Sequence, residues 1–400
     1  MVSKICEVCG SKNLEEVLDL GQQPLCDDLI PLGEKNICKT YPIKILWCNK
    51  CKTAHQSCNV PKKTLFPNTY HYRSRFTQDV LNGMNDLVES VKDLIPKSYD
   101  LNVLDIGCND GSLLDIFRNK GFKNTIGIEP TGAYLDASEK GHKIYNSYFD
   151  SKSAQLIKSD FKKIDVITFT NVFAHIEDLP TLLKNLDFII NDDTLLIIEN
   201  HYIGSVLKTN QFDTFYHEHP RTYSLNSFSA IAKTLDMKLI NVFFPKRYGG
   251  NIRVIFSRKS FENIKKIDDL LEFEETFFES FENMRNFINK WKIDKRKTID
   301  NLVKENGPLA AKAFPGRASI LIKLLELNIN DIYGVFEKIG SPKISNYVPG
   351  TRIPIMDERE FFSMKEKPKA MLNMAWHIKD EINEYMKNNN YFGEIINIVD

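Results

Sequence analysis

From Phe212 to Leu225 the chain reads Phe212-Asp213-Thr214-Phe215-Tyr216-His217-Glu218-His219-Pro220-Arg221-Thr222-Tyr223-Ser224-Leu225. Two histidines, a glutamate, two tyrosines and an arginine stand in one short segment that fits neither an amphipathic helix nor an alternating strand. Imidazole and carboxylate groups take up or deliver protons, while hydroxyl and guanidinium groups hold a developing negative charge. The chemistry this points to is proton transfer with stabilisation of an oxyanion. It needs a partner substrate or cofactor, and the segment lies downstream of a glycine-rich loop.

That loop follows Asn102-Val103-Leu104-Asp105-Ile106, which reads as a buried strand. The turn Gly107-Cys108-Asn109-Asp110-Gly111 comes next, then a helix over Ser112–Asn119. Strand, glycine turn, helix and a later acid form the layout that binds a nucleoside at a helix N-terminus. The acid here is Glu129, placed to accept hydrogen bonds from two ribose hydroxyls. The pattern Gly-x-Asn-x-Gly lacks the glycine that lets a backbone approach a pyrophosphate, which favours S-adenosylmethionine (SAM) over NAD. Asp105 and Asn109 can meet the amino-acid tail of SAM. Asn171-Val172-Phe173-Ala174-His175-Ile176 follows a later strand, where the carboxyl end of a parallel sheet opens on the ligand crevice. The expected cofactor contacts are Asp105, Gly107, Asn109, Gly111, Glu129, Asn171, Phe173 and Ala174.

Four of the eight cysteines form two knuckles, Cys6-x-x-Cys9 and Cys48-x-x-Cys51. Two such pairs complete a tetrahedral Zn²⁺ site, closed and therefore structural. Two disulfides are the alternative, which a reducing compartment disfavours. Cys26, Cys38 and Cys58 are read as ordinary small residues and His55 as a weaker substitute ligand.

Three regions must position these groups. Residues 1–68 form a zinc-binding domain too small to bury a core unaided. Residues 69–258 alternate strand and helix, as a mostly parallel sheet covered on both faces requires. Leu239–Phe244 and Asn251–Ser257 close it as an antiparallel pair. Residues 259–400 begin with a charged helical stretch whose Phe273, Phe277, Phe281, Met284 and Ile288 recur at helical spacing, as a core-facing stripe. A second, smaller α/β unit follows, with strands at Leu309–Phe314, Asp331–Glu337 and Lys369–Trp376 and a helix over Arg317–Leu327.

Among 400 residues, 53 Lys and Arg balance 53 Asp and Glu, so no basic surface is available to attract nucleic acid or an anionic membrane. The first residues lack the apolar run of a signal peptide, and no segment has the length needed to span a bilayer. A cytoplasmic monomer is expected.

From end to end the residues resemble the sugar C-methyltransferases of the deoxysugar pathways. The likeness takes in the paired Cys-x-x-Cys, Tyr70-His71-Tyr72-Arg73-Ser74, the loop 104–111, Asn171–His175, Gln211–His219 and Tyr223-Ser224-Leu225. It continues through Gly249-Gly250-Asn251-Ile252-Arg253-Val254, residues 347–355 and residues 375–382. The resemblance implies an α/β protein with a class I SAM-dependent methyltransferase (Rossmann-like) core, flanked by an N-terminal zinc-binding module and a C-terminal α/β substrate-binding domain. It also implies methylation at carbon 3 of a nucleotide-linked 4-keto-6-deoxysugar, through base-catalysed deprotonation to an enediolate. On that pattern His219 is the base, and Glu218 and Tyr216 orient or stabilise. His175, with Tyr70 and Tyr72, contacts the keto-sugar. His217 is expected to be structural, since successive residues of an extended segment face apart. The chain departs from the family at Lys312-Ala313-Phe314-Pro315-Gly316-Arg317-Ala318 and at Phe336–Ser341. The first of these turns is read as a diphosphate site through backbone N–H groups and Arg317. The alternatives are a sugar O-methyltransferase on the same fold and a non-catalytic zinc and SAM-fold binding protein.

Overall fold

The computed structural model describes residues 5–66, 73–76, 78–95, 100–259, 261 and 267–400, so the predicted Tyr70 and Tyr72 lie outside the described residues. The chain groups into two compact units that interleave in sequence. One takes Met1–Glu16, Leu46–Thr209 and Glu218–Phe278; the other takes Val17–Ile45, Asn210–His217 and Glu279–Asp400. The proton-handling segment is therefore divided between them after His217.

The first unit is built on seven strands: β1 Asn102–Ile106, β2 Asn124–Ile128, β3 Lys143–Tyr145, β4 Val166–Thr170, β5 Leu195–His201, β6 Lys238–Phe243 and β7 Asn251–Ser257. Their order across the sheet is β6-β7-β5-β4-β1-β2-β3. β1 to β5 run parallel, and β7 lies antiparallel between β5 and β6. The apolar runs Val103-Leu104 and Leu195–Ile198 are buried on both faces, as strands covered by helices must be. One covering helix, Gln78–Val91, turns Val80, Met84, Leu87, Val88 and Val91 into a core shared with Leu113, Leu114 and Phe117. That helical spacing places the apolar side chains on one face. The edge strand β3 was not expected from the sequence. Three residues are too few to show an alternation.

Below the zinc knuckles, the strand Thr53–Gln56 pairs antiparallel with Arg221–Thr222, His55 opposite Arg221 and Ala54 opposite Thr222. The helix Leu225–Thr234 starts immediately afterwards. Ser224 caps it in a reciprocal bond with Ser227, and the buried Glu274 accepts from the N–H groups of Leu225 and Asn226 at 2.7 and 2.8 Å. These are donors a helix end otherwise leaves unpaired.

The second unit holds a five-stranded parallel sheet of β8 Leu309–Lys312, β9 Ile332–Glu337, β10 Ile355–Asp357, β11 Ala370–Asn373 and β12 Glu394–Asn397, ordered β10-β9-β8-β11-β12. Three of its strands were expected, although β8 ends two residues early where Ala313 adopts a φ of 62°. β10 and β12 were missed as short. Of the predicted stripe, Phe277, Phe281, Met284 and Ile288 are buried. Phe273 is 53% exposed, because a 3-10 turn at Glu274–Thr276 breaks the helical period between it and the others. No helix of the described residues is long and apolar enough to cross a membrane.

Candidate active site

The four knuckle thiols converge. Their Sγ atoms all lie within 4.8 Å of one another, with Cys6 3.4 Å from Cys51 and Cys9 3.5 Å from Cys48. A tetrahedral zinc with Zn–S bonds of about 2.3 Å needs sulfurs about 3.8 Å apart, close to this spacing. The cysteines are free, and sulfurs at these distances are not disulfide-bonded. The residues therefore fit Zn²⁺, with no fifth ligand called for. His55 stands outside this cluster; it is buried opposite Arg221, and burial lowers its pKa to about 3.

At the carboxyl ends of β1 and β2 the glycine loop is held by its own backbone. Gly107 has a φ of +76°, and a Cβ there would fall 2.6 Å from the Val172 side chain, so glycine alone lets the loop pass Val172. Asn109 also adopts a left-handed conformation, φ 49°, which asparagine tolerates better than most residues. Its N–H donates to Glu129 Oε2 at 3.0 Å, and its Oδ1 accepts from the Ser74 N–H at 3.0 Å. Glu129 Oε1 accepts from the Thr131 N–H and hydroxyl at 2.8 and 2.6 Å. A carboxylate offers about four acceptor positions, so Oε2 can take a further donor such as a ribose hydroxyl.

Asp105 is buried and accepts from the Thr168 hydroxyl at 2.7 Å. Burial pushes its pKa up to about 7, and the Glu129 carboxyl is likewise raised by burial. Two buried carboxylates in one pocket fit a ligand that brings positive charge, as the ammonium and sulfonium of SAM do. Asn171, with a φ of 54°, accepts from Asn251 Nδ2 at 3.2 Å. The Phe173 ring is fully buried and packs edge-on to Phe169 and tilted against Tyr223 and Phe228, so core packing claims it. Only the backbone at Phe173 can face a cofactor.

Three histidines come together beside this pocket. The rings of His175 and His219 are 4.9 Å apart, and those of His219 and His201 are 5.2 Å apart. His175 Nδ1 lies 2.7 Å from the Glu218 carbonyl oxygen. A carbonyl only accepts, so that nitrogen carries the proton. Burial lowers the pKa of His175 and outweighs the backbone carbonyls of Glu218 and Asn171 that favour its charged form. Glu218 and His219 are both buried.

His201 was missed in the sequence. Its signal was its place at the carboxyl end of a parallel strand, β5, where its ring meets that of His219.

His217 and Tyr216 belong to the second unit. There, His217 Nε2 lies 3.2 Å from the Tyr41 carbonyl, and burial lowers the His217 pKa to about 4. In the same unit Arg317 pairs with Asp213 at 3.3 Å and donates to the Thr214 hydroxyl at 3.1 Å. In the turn read as a diphosphate site, the Arg317 guanidinium thus lies against Asp213 and Thr214, with the helix Ala318–Leu324 behind it. Arg221 is engaged as well. It is buried against Glu7, Tyr223 and the Ile176 carbonyl, so it is not available to an oxyanion.

Comparison with known proteins matches residues 6–66 to a zinc binding domain, residues 72–242 to a methyltransferase domain and residues 246–397 to a C-methyltransferase C-terminal domain. The C-methyltransferase NovU of Streptomyces niveus is 23% identical over 401 residues, covering 97% of this chain and 94% of its own. The chain is a SAM-dependent methyltransferase with a C-methyltransferase C-terminal domain. An uncharacterized protein of Haemophilus influenzae is 28% identical over 142 residues, 32% of this chain and 54% of its own. A solved S-adenosylmethionine-dependent methyltransferase from Clostridium acetobutylicum is 14% identical, with a TM-score of 0.35, over 45% of this chain and 92% of its own.

This C-methyltransferase thus has a class I SAM fold with SAM as cofactor and a zinc site of four thiolates. The reading as a non-catalytic binding protein is set aside by the methyltransferase and C-methyltransferase domains.

Proposed function

We propose that this C-methyltransferase methylates carbon 3 of a nucleotide-linked 4-keto-6-deoxysugar, acting as a monomer on a cytoplasmic acceptor. The observation that carries the reading is the His175–His219 pair, rings 4.9 Å apart, with His175 three residues after the Val172 that packs on Gly107 of the glycine loop. A carbon beside a ketone becomes nucleophilic only on losing its proton, which leaves an enediolate charge on oxygen. In this reading His219 removes that proton. Glu218 and Tyr216 orient the base or stabilise the oxyanion, and His175, with Tyr70 and Tyr72, holds the keto-sugar.

Bound SAM supplies an electrophilic methyl group. Asp105, Gly107, Asn109, Gly111, Glu129, Asn171, Ala174 and the Phe173 backbone hold the cofactor, with Glu129 on the ribose and Asp105 towards the amino-acid tail. Burial of Glu218 and His219 keeps water from the proton transfer, which strengthens every charge interaction there. The labour divides along the chain: zinc at 1–68, methyl transfer at 69–258, acceptor binding at 259–400.

The test is incubation with SAM and paired nucleotide sugars that differ only in a keto or hydroxyl group at carbon 4, with product masses read. Methyl gain on the keto-sugar alone is expected. Equal methyl gain on both would contradict the reading.

A further inference from the structure

Arg221 stands two residues after His219 and is 2% exposed. Its Nη1 donates to Glu7 Oε2 at 2.6 Å, and Glu7 lies between the zinc-binding thiols Cys6 and Cys9. Its Nη2 donates to the carbonyl of Ile176, the residue after His175. Its Nε donates to the Tyr223 hydroxyl at 3.0 Å. One rigid guanidinium thus joins the first zinc knuckle, the peptide leaving His175 and the strand leaving His219. The second knuckle is tied to the same region. The Cys51 carbonyl accepts from the Ser227 hydroxyl at 3.1 Å, and Thr53 Oγ1 lies 2.7 Å from Ser227 Oγ.

A buried ion pair contributes little net stability, because desolvation offsets its attraction. Its five donors in a fixed planar fork are suited instead to setting geometry, which a lysine cannot reproduce. We propose that the zinc knuckle positions the His175–His219 pair and that Arg221, through Glu7, is the positioning residue that couples them. The proposal rests on the reading of those two histidines as the reactive pair. Zinc fixes Cys6 and Cys9, the knuckle between them fixes the Glu7 carboxylate, and the carboxylate fixes the guanidinium. The distance between the two imidazoles follows from where that guanidinium holds the two chains.

The experiment uses the full-length, zinc-loaded protein labelled with ¹⁵N-histidine, so it needs no acceptor. Glu7→Gln and Arg221→Lys are expected to keep their zinc and their SAM affinity while shifting the ring signals of His175 and His219. His142 serves as the control within the same unit, since its ring is bonded to the Thr125 hydroxyl at 2.8 Å, away from this link. Stripping zinc from the unsubstituted protein with a chelator is expected to shift the same two signals. With a working acceptor, kcat should fall roughly 10²-fold, as for a misplacement of about 1 Å, with KM little changed.

Unchanged His175 and His219 signals in both variants would overturn the proposal. So would loss of zinc from Glu7→Gln, which would confine that residue to the metal site, or a joint shift of His142, which would mark a general loosening of the core. Failure of the link with methyl transfer intact sinks only the coupling. An unsubstituted enzyme that methylates no keto-sugar sinks the reading beneath it.

Discussion

His219 has two imidazole neighbours, His175 and His201, and the proposed base catalysis rests on this crowding at the residue scale. Positioned general bases contribute about 10²–10⁴-fold, so His219→Ala should lower kcat by about that much or more. Its SAM dissociation constant, measured by calorimetry, should stay within about twofold, since the cofactor loop is a separate segment. The cofactor site carries its own pH signature. Asp105 is pushed up to about 7 by burial, so it is partly protonated where an exposed carboxyl would be ionised, and burial raises Glu129 in the same direction. A cationic ligand favours their ionised forms, so SAM should bind more tightly as pH rises from 6 to 8 and release protons on binding, about 7 being the midpoint. Asp105→Asn should flatten that dependence; an unchanged slope would remove Asp105 from the cofactor site. The cysteine knuckles were legible in the sequence because two Cys-x-x-Cys pairs set their chemistry by local spacing. His201 and Glu7 were not. Each meets its partner only through the fold, and nothing in the spacing of Glu7 and Arg221, 214 residues apart, points from one to the other.

At the scale of elements, strand ends decide the outcome. β5 ends on Glu199, Asn200 and His201, and the fully buried Glu199 accepts from Arg247 Nε and Arg253 Nε, each at 2.7 Å. Arg247 and Arg253 reach across from the loop before β7 and from β7 itself, so a single carboxylate ties these two neighbouring strands together beside Asn171. Glu199→Gln should destabilise the protein by about 3–5 kcal/mol, the usual cost of leaving buried charge unpaired, read as a lower denaturant midpoint. A loss of less than about 1 kcal/mol would mean solvent reaches the arginines. The parallel strands were readable as continuous apolar runs. At the turn 313–317 sequence shows that an arginine follows Pro-Gly, but not that Asp213 and Thr214 hold its side chain.

At the scale of the whole molecule, metal and buried histidines set the conditions under which the enzyme stays folded. Replacing Cys48 and Cys51 by Ser should release zinc and lower the melting temperature, because metal binding in such modules is folding free energy. In the second unit, burial lowers His217 to about 4 and His377 to about 3, well under the ordinary 6.5. Above pH 6.5 both states leave these rings neutral and the stability is fully present. Between 6.5 and about 4 the unfolded chain binds protons that the native one does not, so stability falls as pH falls. Denaturant midpoints at pH 7.5 and 5 should show this loss, and His217→Gln should reduce it. The sequence suggests three successive regions and not the interleaving of two compact units, because Val17–Ile45 and Asn210–His217 join residues 279–400 only through long-range packing. The most direct test of the account uses a nucleotide-linked 4-keto-6-deoxysugar carrying deuterium at carbon 3, incubated with SAM and analysed by mass spectrometry. The account predicts a methylated product that has lost the deuterium, formed at least about 10²-fold more slowly by His219→Ala; a methylated product that retains the deuterium would contradict it.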